Sequence, residues 1–291
     1  MKFKHLISIG VLASSLILGA CAETQLAEGG IGGTGISVGP ITGFGSIIQN
    51  GVRYDVSQAR FTRDGVTAPD QSQYRIGEIV KIQGIINPDG VTGTATQVDY
   101  GSLLQGQITA LGADGKSLYV LNQLVRVDSL TLLHGVKLVS DLAVGNIVQI
   151  SGARDAQAVI RANSLTLQQN SFLSGSSVQL IEGRITQVDP LTQTFSVNGL
   201  KIDYSRIARG VLPVVNQYVR VTSKQSLQNE LLIASDYRLA QEFVEFVPGE
   251  EAELEGLVTA FISPNRFAIN GQLVVTTAKT EFENSLATDI K

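Results

Sequence analysis

The sequence predicts an all-β chain of tandem small barrels behind an N-terminal targeting segment. Three observations carry this. Asn-Gly dipeptides flanked by alternating apolar residues recur along the chain, glycine-bearing strand signals precede them, and a second strand signal follows the first three units. Asn-Gly supplies the two positive-φ positions of a type I′ turn, whose twist matches that of paired strands, so each instance reads as a β-hairpin. The hairpins are SIIQNGVRYDV around Asn50-Gly51, FSVNGLKIDY around Asn198-Gly199 and FAINGQLVV around Asn270-Gly271. SLYVLNQLVRVD holds a weaker turn, read at Asn122-Gln123. The four asparagines lie 72, 76 and 72 residues apart, far longer than one solenoid turn, so each unit reads as a small domain of five or six strands.

The elements of a unit follow in order. The opening strand is QGQITAL at Gly106, EGRITQV at Gly183 and EGLVTAF at Gly256, with TGFGSII at Gly43 to Ile48 taken as its equivalent in the first unit. The hairpin comes next. The connection after it is short and interrupted by Gly or Pro, which leaves room for one helical turn and no real helix. Then comes IGEIVKIQG at Gly77, VGNIVQISG at Gly145 or VNQYVRVTS around Tyr218. TATQVDY, IRANSLTL and LIASDYRL close the three units and align Ala95, Ala162 and Ala234. A glycine-bearing first strand and a hairpin within about seventy residues suit a Greek-key barrel of the OB type, with a small open sandwich as the alternative. The expected domains are 40–102, 103–170 and 178–242, followed by 251–291 as a truncated fourth. In that fourth unit Asp289 follows Asn270 by 19 residues, as Asp141 follows Asn122, but DLAVGNIVQISG has no counterpart after it. Two explanations stand: a half-unit docked on unit three or on a partner, or a piece of a longer protein.

Residues 1–20 read as a signal peptide. Lys2 and Lys4 precede an apolar run from Leu6 to Leu18, too short for a stop-transfer helix. Leu18-Gly19-Ala20-Cys21 resembles the bacterial lipobox. The resemblance implies that Cys21 becomes the first residue and carries lipid, and Ala22 behind it implies outer-membrane sorting. An ordinary secretory signal is the alternative. Cys21 is the only cysteine, so no disulfide forms within one chain. Residues 21–39 then form a Gly-rich tether. The net charge of −4, made more negative by losing Lys2 and Lys4, is a poor match to nucleic acid or anionic headgroups. The mature chain keeps one histidine, His134, and no tryptophan.

GIGGTGISVGPITGFGSIIQNGVRYD resembles the opening of bacterial proteins in the family of domain of unknown function 5666, and the later units resemble its repeated domain. The resemblance implies the repeat architecture and no activity.

The chemical candidates are few. Gly30, Gly32 and Gly35 spell G-x-G-x-x-G, with Asp55 twenty residues on. A dinucleotide site needs a strand before this motif and a helix after it. Gly39, Pro40, Gly43 and Gly45 forbid that helix, so the glycines read as structural. Ile31, Ile36, Val38 and Ile41 predict docking on the first barrel. His134 reads as a turn residue without catalytic partners. Glu242, Glu245, Glu250, Glu251, Glu253 and Glu255 read as a solvated linker and not a calcium loop. Tyr54, Tyr74, Tyr119, Tyr204 and Tyr218 are either core residues or a stacking platform for sugars or bases. The expectation is a non-enzymatic envelope lipoprotein that binds or scaffolds an envelope protein or glycan, with the membrane reached through Cys21. No cofactor, metal or nucleic acid is expected. The alternative is an envelope enzyme acting on glycan or peptide through carboxylates that the sequence does not single out.

Overall fold

The structure, a computed structural model, describes residues 35–207, 212–246 and 252–282. The Asn-Gly turns form as the chemistry requires. Asn50, Asn198 and Asn270 have φ of 52, 49 and 49°, and the following glycines have φ of 77, 83 and 83°. Each turn links two short strands in a meander with a longer first strand. In the first unit these are β1 (Gly35–Gly43), β2 (Ile47–Gln49) and β3 (Val52–Asp55). A second hairpin follows, β4 (Arg60–Arg63) and β5 (Val66–Ala68), then a 3-10 turn at Gln71–Gln73, β6 (Ile79–Ile86) and β7 (Thr92–Tyr100).

β1 pairs antiparallel with β2 and β6, β2 with β3, and β6 with β7, while β3 runs parallel to β7. Those five pairings close a ring, which an open sandwich would lack, and the result is a small, loosely OB-like barrel. Ile41, Ile47, Tyr54, Ile82 and Val98 fill it, each at most 1% exposed.

The same pairings recur in a twelve-stranded sheet. The second ring uses β8 (Leu104–Leu111), β9 (Ser117–Val120), β10 (Gln123–Arg126), β12 (Ile147–Arg154) and β13 (Ile160–Gln169). Before β12 come β11 (Leu132–His134), which lies parallel to β13, and a 3-10 turn at Val139–Asp141. The third ring uses β14 (Gln179–Asp189), β15 (Thr194–Val197), β16 (Leu200–Asp203) and β17 (Tyr218–Ser223). Its fifth strand is broken at Ala234-Ser235 into β18 (Leu231–Ile233), parallel to β16, and β19 (Asp236–Leu239), antiparallel to β17. β8 and β14 pair at Leu104–Gln105 and Leu180–Ile181, so barrels two and three share one continuous apolar core.

Among the described residues the fourth unit has the meander alone: β21 (Val258–Ser263), β22 (Arg266–Ile269) and β23 (Gln272–Val275). The start of its first strand, β20 (Ala252–Leu254), has left the meander and lies parallel to β1 at Ile36–Val38. The half-unit docks on the first two barrels, through β20 on β1 and through Ala156 N–H donating to Thr259 O at 3.3 Å.

The structure corrects the alignment in two places. In the second unit Gln123 pairs with Val120, so the turn is Leu121-Asn122, with φ of 50 and 61°, and not Asn122-Gln123. In the first unit the opening glycine is Gly39, in G-P-I-T, and not Gly43. The reason is a contact that only the fold reveals. A Cβ on Gly106 would lie 2.6 Å from Leu121 Cγ, and a Cβ on Gly39, Gly183 or Gly256 would overlap the amide of Asn50, Asn198 or Asn270. The first turn residue folds back over the glycine. Asn198 Nδ2 then donates to Glu182 O at 3.0 Å, and Asn270 Nδ2 to Glu255 O at 2.9 Å. The threonine of the same G-x-[IV]-T bridges a bulge in all four units: Thr42, Thr109, Thr186 and Thr259 donate to Ile48 O, Tyr119 O, Ser196 O and Ala268 O. Finally, β1 begins at Gly35, so the expected boundary between residues 39 and 40 falls inside a strand.

Candidate functional site: a polar cleft between the barrels

The β4–β5 hairpin turns at Asp64-Gly65, with φ of 53 and 81°. This turn carries Arg63 and Asp64 away from the first barrel toward the other two. Arg63 grips Glu78 with two hydrogen bonds of 2.8 and 2.7 Å, donates to Gln149 Oε1 at 2.6 Å, and stacks 4.2 Å from the Tyr100 ring centre. Asp64 accepts from Ser102 N–H, Ser102 Oγ and Arg220 Nη1 at 2.7 to 2.9 Å. Arg220 also pairs with Glu182. Gln149 Nε2 donates to Ser102 Oγ at 2.6 Å, and Ile79 N–H donates to Ser151 Oγ at 2.8 Å. The network thus joins all three barrels, and such a network fixes their relative placement only when its members are satisfied.

Electrostatics follow from burial. Burial works against the Arg63 and Arg220 charges, but the facing carboxylates win and hold both guanidinium groups above their usual range. Burial pushes the Glu182 carboxyl up, and Arg220 offsets part of that. The Tyr100 and Tyr218 phenols are pushed up by burial and stay protonated at neutral pH. Burial pulls the Arg154 guanidinium down; it donates to Ala158 O at 2.9 Å, while its Nη2 is buried without a hydrogen-bond partner.

Beside the network lies a cleft of about 900 Å³ lined by all three barrels and the half-unit. Its carboxylates are engaged: Asp99 with Lys81 at 3.4 Å, Asp155 with Arg161 at 2.9 Å, Glu182 with Arg220, and Glu242 with Arg184. Among the described residues no group of three His, Cys, Asp or Glu side chains is placed to hold a metal ion. No described helix is long and apolar enough to cross a membrane, which says nothing of strands.

The sequence candidates scatter. Cys21, Gly30, Gly32, Ile31, Glu250 and Glu251 lie outside the described residues. Gly35 opens a strand where a dinucleotide motif would open a helix, and Ile36, Val38 and Ile41 are part of that strand. Asp55 closes the next turn by accepting from Ser57 N–H at 2.9 Å. His134 ends a short strand and its Nε2 lies 2.8 Å from Ile76 O of the first barrel, so it is an inter-barrel contact and not a turn residue. Of the acidic run, Glu253 lies in β20 and accepts from Ser37 Oγ at 3.2 Å, and Glu242 meets Arg184; this is not a wholly solvated linker. Glu245 and Glu255 are exposed. Tyr54 and Tyr74 are core residues, Tyr204 packs on Phe195 and Tyr237, Tyr119 is exposed, and Tyr218 lines the cleft, so the five form no common platform. Arg63, Asp64, Glu182 and Arg220 were not legible as a site. The signal that could have placed two of them is RFTRDGVTA, an Asp-Gly hairpin inside a segment read only as an interrupted connection.

Residues 105–166 and 255–291 match the family profile "Domain of unknown function (DUF5666)". The second stretch covers the half-unit, so the second unit and the half-unit match one domain profile. Comparison with curated proteins yields no match. Among solved structures the chain is similar to "drosophila Unr CSD456", at 14% identity over 57% of this chain and 78% of that one, with a TM-score of 0.20, too low to carry an argument.

Proposed function

We propose that the chain is a non-enzymatic cell-envelope lipoprotein, held at the outer membrane by lipid on Cys21, whose tandem OB-type barrels form a rigid binding or scaffolding module for an envelope glycan or protein. The supporting observation is the pairing of the cleft carboxylates. Asp99, Asp155, Glu182 and Glu242 each face a cation, which suits recognition by shape and fixed polarity better than proton transfer at a free acid. The Leu18-Gly19-Ala20-Cys21 sequence supports the anchor.

Two experiments test the two halves of the reading. Cys21→Ala should abolish labelling by a fatty-acid analogue and release the protein from membranes; undiminished labelling would sink the anchor. The soluble chain should be screened against envelope glycans, peptides and model hydrolase substrates. Saturable binding weakened by Tyr218→Ala supports the module. Turnover that disappears in Glu182→Gln would establish the enzyme instead.

A further inference from the structure

We infer that the cleft recognises an acidic ligand, and that Arg154 and Arg238 receive its carboxylate or phosphate group. The inference rests on the cleft being a binding site, as proposed above, and names the chemistry of what enters it. Among the described residues five cationic side chains line the cleft: Lys81, Arg154, Arg184, Arg220 and Arg238. Four carboxylates stand against them. Asp99, Glu242 and Glu182 pair with Lys81, Arg184 and Arg220. The fourth, Asp155, attracts Arg154 only at longer range, because both its oxygens are engaged elsewhere. One accepts from Gln157 N–H and Val159 N–H, and the other from Arg161, which lies outside the cleft. Arg154 and Arg238 are therefore left without an ion pair among the described residues.

Arg154 is the sharper case. It ends β12, and its hydrogen bonds go to neutral oxygens: Ala158 O at 2.9 Å and Gln123 Oε1 at 3.4 Å. Its Nη2 is buried and has no hydrogen-bond partner. A guanidinium cannot shed its proton to escape burial, so the charge persists. A buried cation without a counter-ion costs the fold stability. An incoming anion removes that cost, and the planar fork presents paired N–H donors that match a carboxylate or phosphate. Turning toward the cleft gives up two neutral hydrogen bonds and gains charge-assisted ones, which are about twice as strong.

Two further groups support the same chemistry. Arg238, on β19 of the third barrel, is exposed and donates to a backbone oxygen, Asp64 O, at 3.2 Å. Tyr218 stands near enough to Arg154 for each to enter the other's electrostatics, and its protonated phenol adds an uncharged donor. The chain as a whole carries a charge of −4. Exposed charges more than about 10 Å away are largely screened at ordinary salt, so the local excess of cations decides what the cleft accepts. A neutral ligand would leave both guanidinium groups without a counter-ion.

The test titrates the full soluble chain calorimetrically with trigalacturonate, with its neutral methyl ester and with inorganic phosphate, at matched ionic strength. Saturable binding of the acid, tighter than the ester by about tenfold or more, supports the inference with a sugar carboxylate as the source. Saturable binding of phosphate alone supports it with a phosphoryl group. Arg154→Met should weaken the bound anion by about tenfold or more, and Arg238→Met by less, because that side chain is exposed. Without ligand, the melting temperature of the Arg154→Met chain should hold or rise, since methionine keeps the length and drops an uncompensated charge. A fall of more than about 4 °C would make Arg154 a structural residue and overturn the inference. Anion binding indifferent to Arg154→Met, or no saturation by either anion up to about 1 mM, would overturn it too. An ester bound as tightly as the acid, and weakened by Tyr218→Ala, would overturn it while leaving the cleft a binding site. The cleft reading falls only if the wider glycan and peptide screen is empty as well.

Discussion

Gly183→Ala tests the glycine-and-turn pairing that defines each unit. An added Cβ would sit 2.7 Å from Asn198 Cγ, against the 3.5 to 4.0 Å or so that carbon atoms prefer. The neighbour is a side chain, so the amide can swing away, but it then gives up its 3.0 Å bond to Glu182 O. Leaving a partly buried carbonyl unpaired costs about 1–3 kcal/mol, and residual overpacking costs about 1–3 kcal/mol more. A loss of about 2–6 kcal/mol is expected. Asn198→Gly alone should lose only about 1 kcal/mol, since glycine accepts the φ of 49° and only the hydrogen bond goes. In the double variant the alanine methyl occupies the space the amide has left, so most of the Gly183→Ala penalty should vanish. The coupling energy is then about 2 kcal/mol in favour of the double variant. Urea denaturation followed by far-UV circular dichroism reads it, because barrels two and three share a core and their transition is the one perturbed. Additivity within about 0.5 kcal/mol would refute the contact as the reason for the repeated glycine.

Three further outcomes are expected. Leu121→Asn restores the turn residue of the other units and relieves a leucine at positive φ, worth about 1–2 kcal/mol, but it removes a fully buried side chain worth about 2–5 kcal/mol. Net destabilisation in thermal melts is expected, and a stabilised variant would show that the backbone strain outweighs the core. Arg220→Met strands Glu182 and Asp64 and should cost about 3–5 kcal/mol, partly regained by adding Glu182→Leu; a loss below about 1 kcal/mol would mean the network does not join the barrels. The Lys116 backbone N–H, with Ser117, holds the Asp114 carboxyl below its ordinary 3.8. Its stabilisation is therefore complete above pH 3.8 and is lost as pH falls through the lower folded-state value. Asp114→Asn, which mimics the protonated acid, should melt below the wild type near neutral pH and converge with it in strong acid; a gap that widens on acidification would contradict the sign.

Much of the fold was legible because its signals are local. An Asn-Gly turn forces a hairpin wherever alternating residues flank it, and the period aligns Ala95 with Ala162, though only the fold shows that they meet Gly84 and Gly152 across a bulge. The Leu121-Asn122 turn was misplaced by one residue because Leu121 does by apolar burial what asparagine does elsewhere by hydrogen bonding, and no local pattern predicts a leucine at φ of 50°. The first-unit glycine was misplaced because GPITG offers two candidates, and the side chain that selects Gly39 comes from Asn50, across the hairpin.

The sequence by itself determined the Asn-Gly hairpins, the long strands of each unit, the repeat and the all-β class, since these follow from residue-scale twist and alternation. Only the tertiary structure decided that β3 meets β7, that barrels two and three share a core, and that Arg63, Asp64, Glu182 and Arg220 converge. Asp64 and Arg220 lie 156 residues apart. Their meeting depends on how three closed barrels pack, and that is set by the sum of many edge and core contacts that no short window of sequence contains.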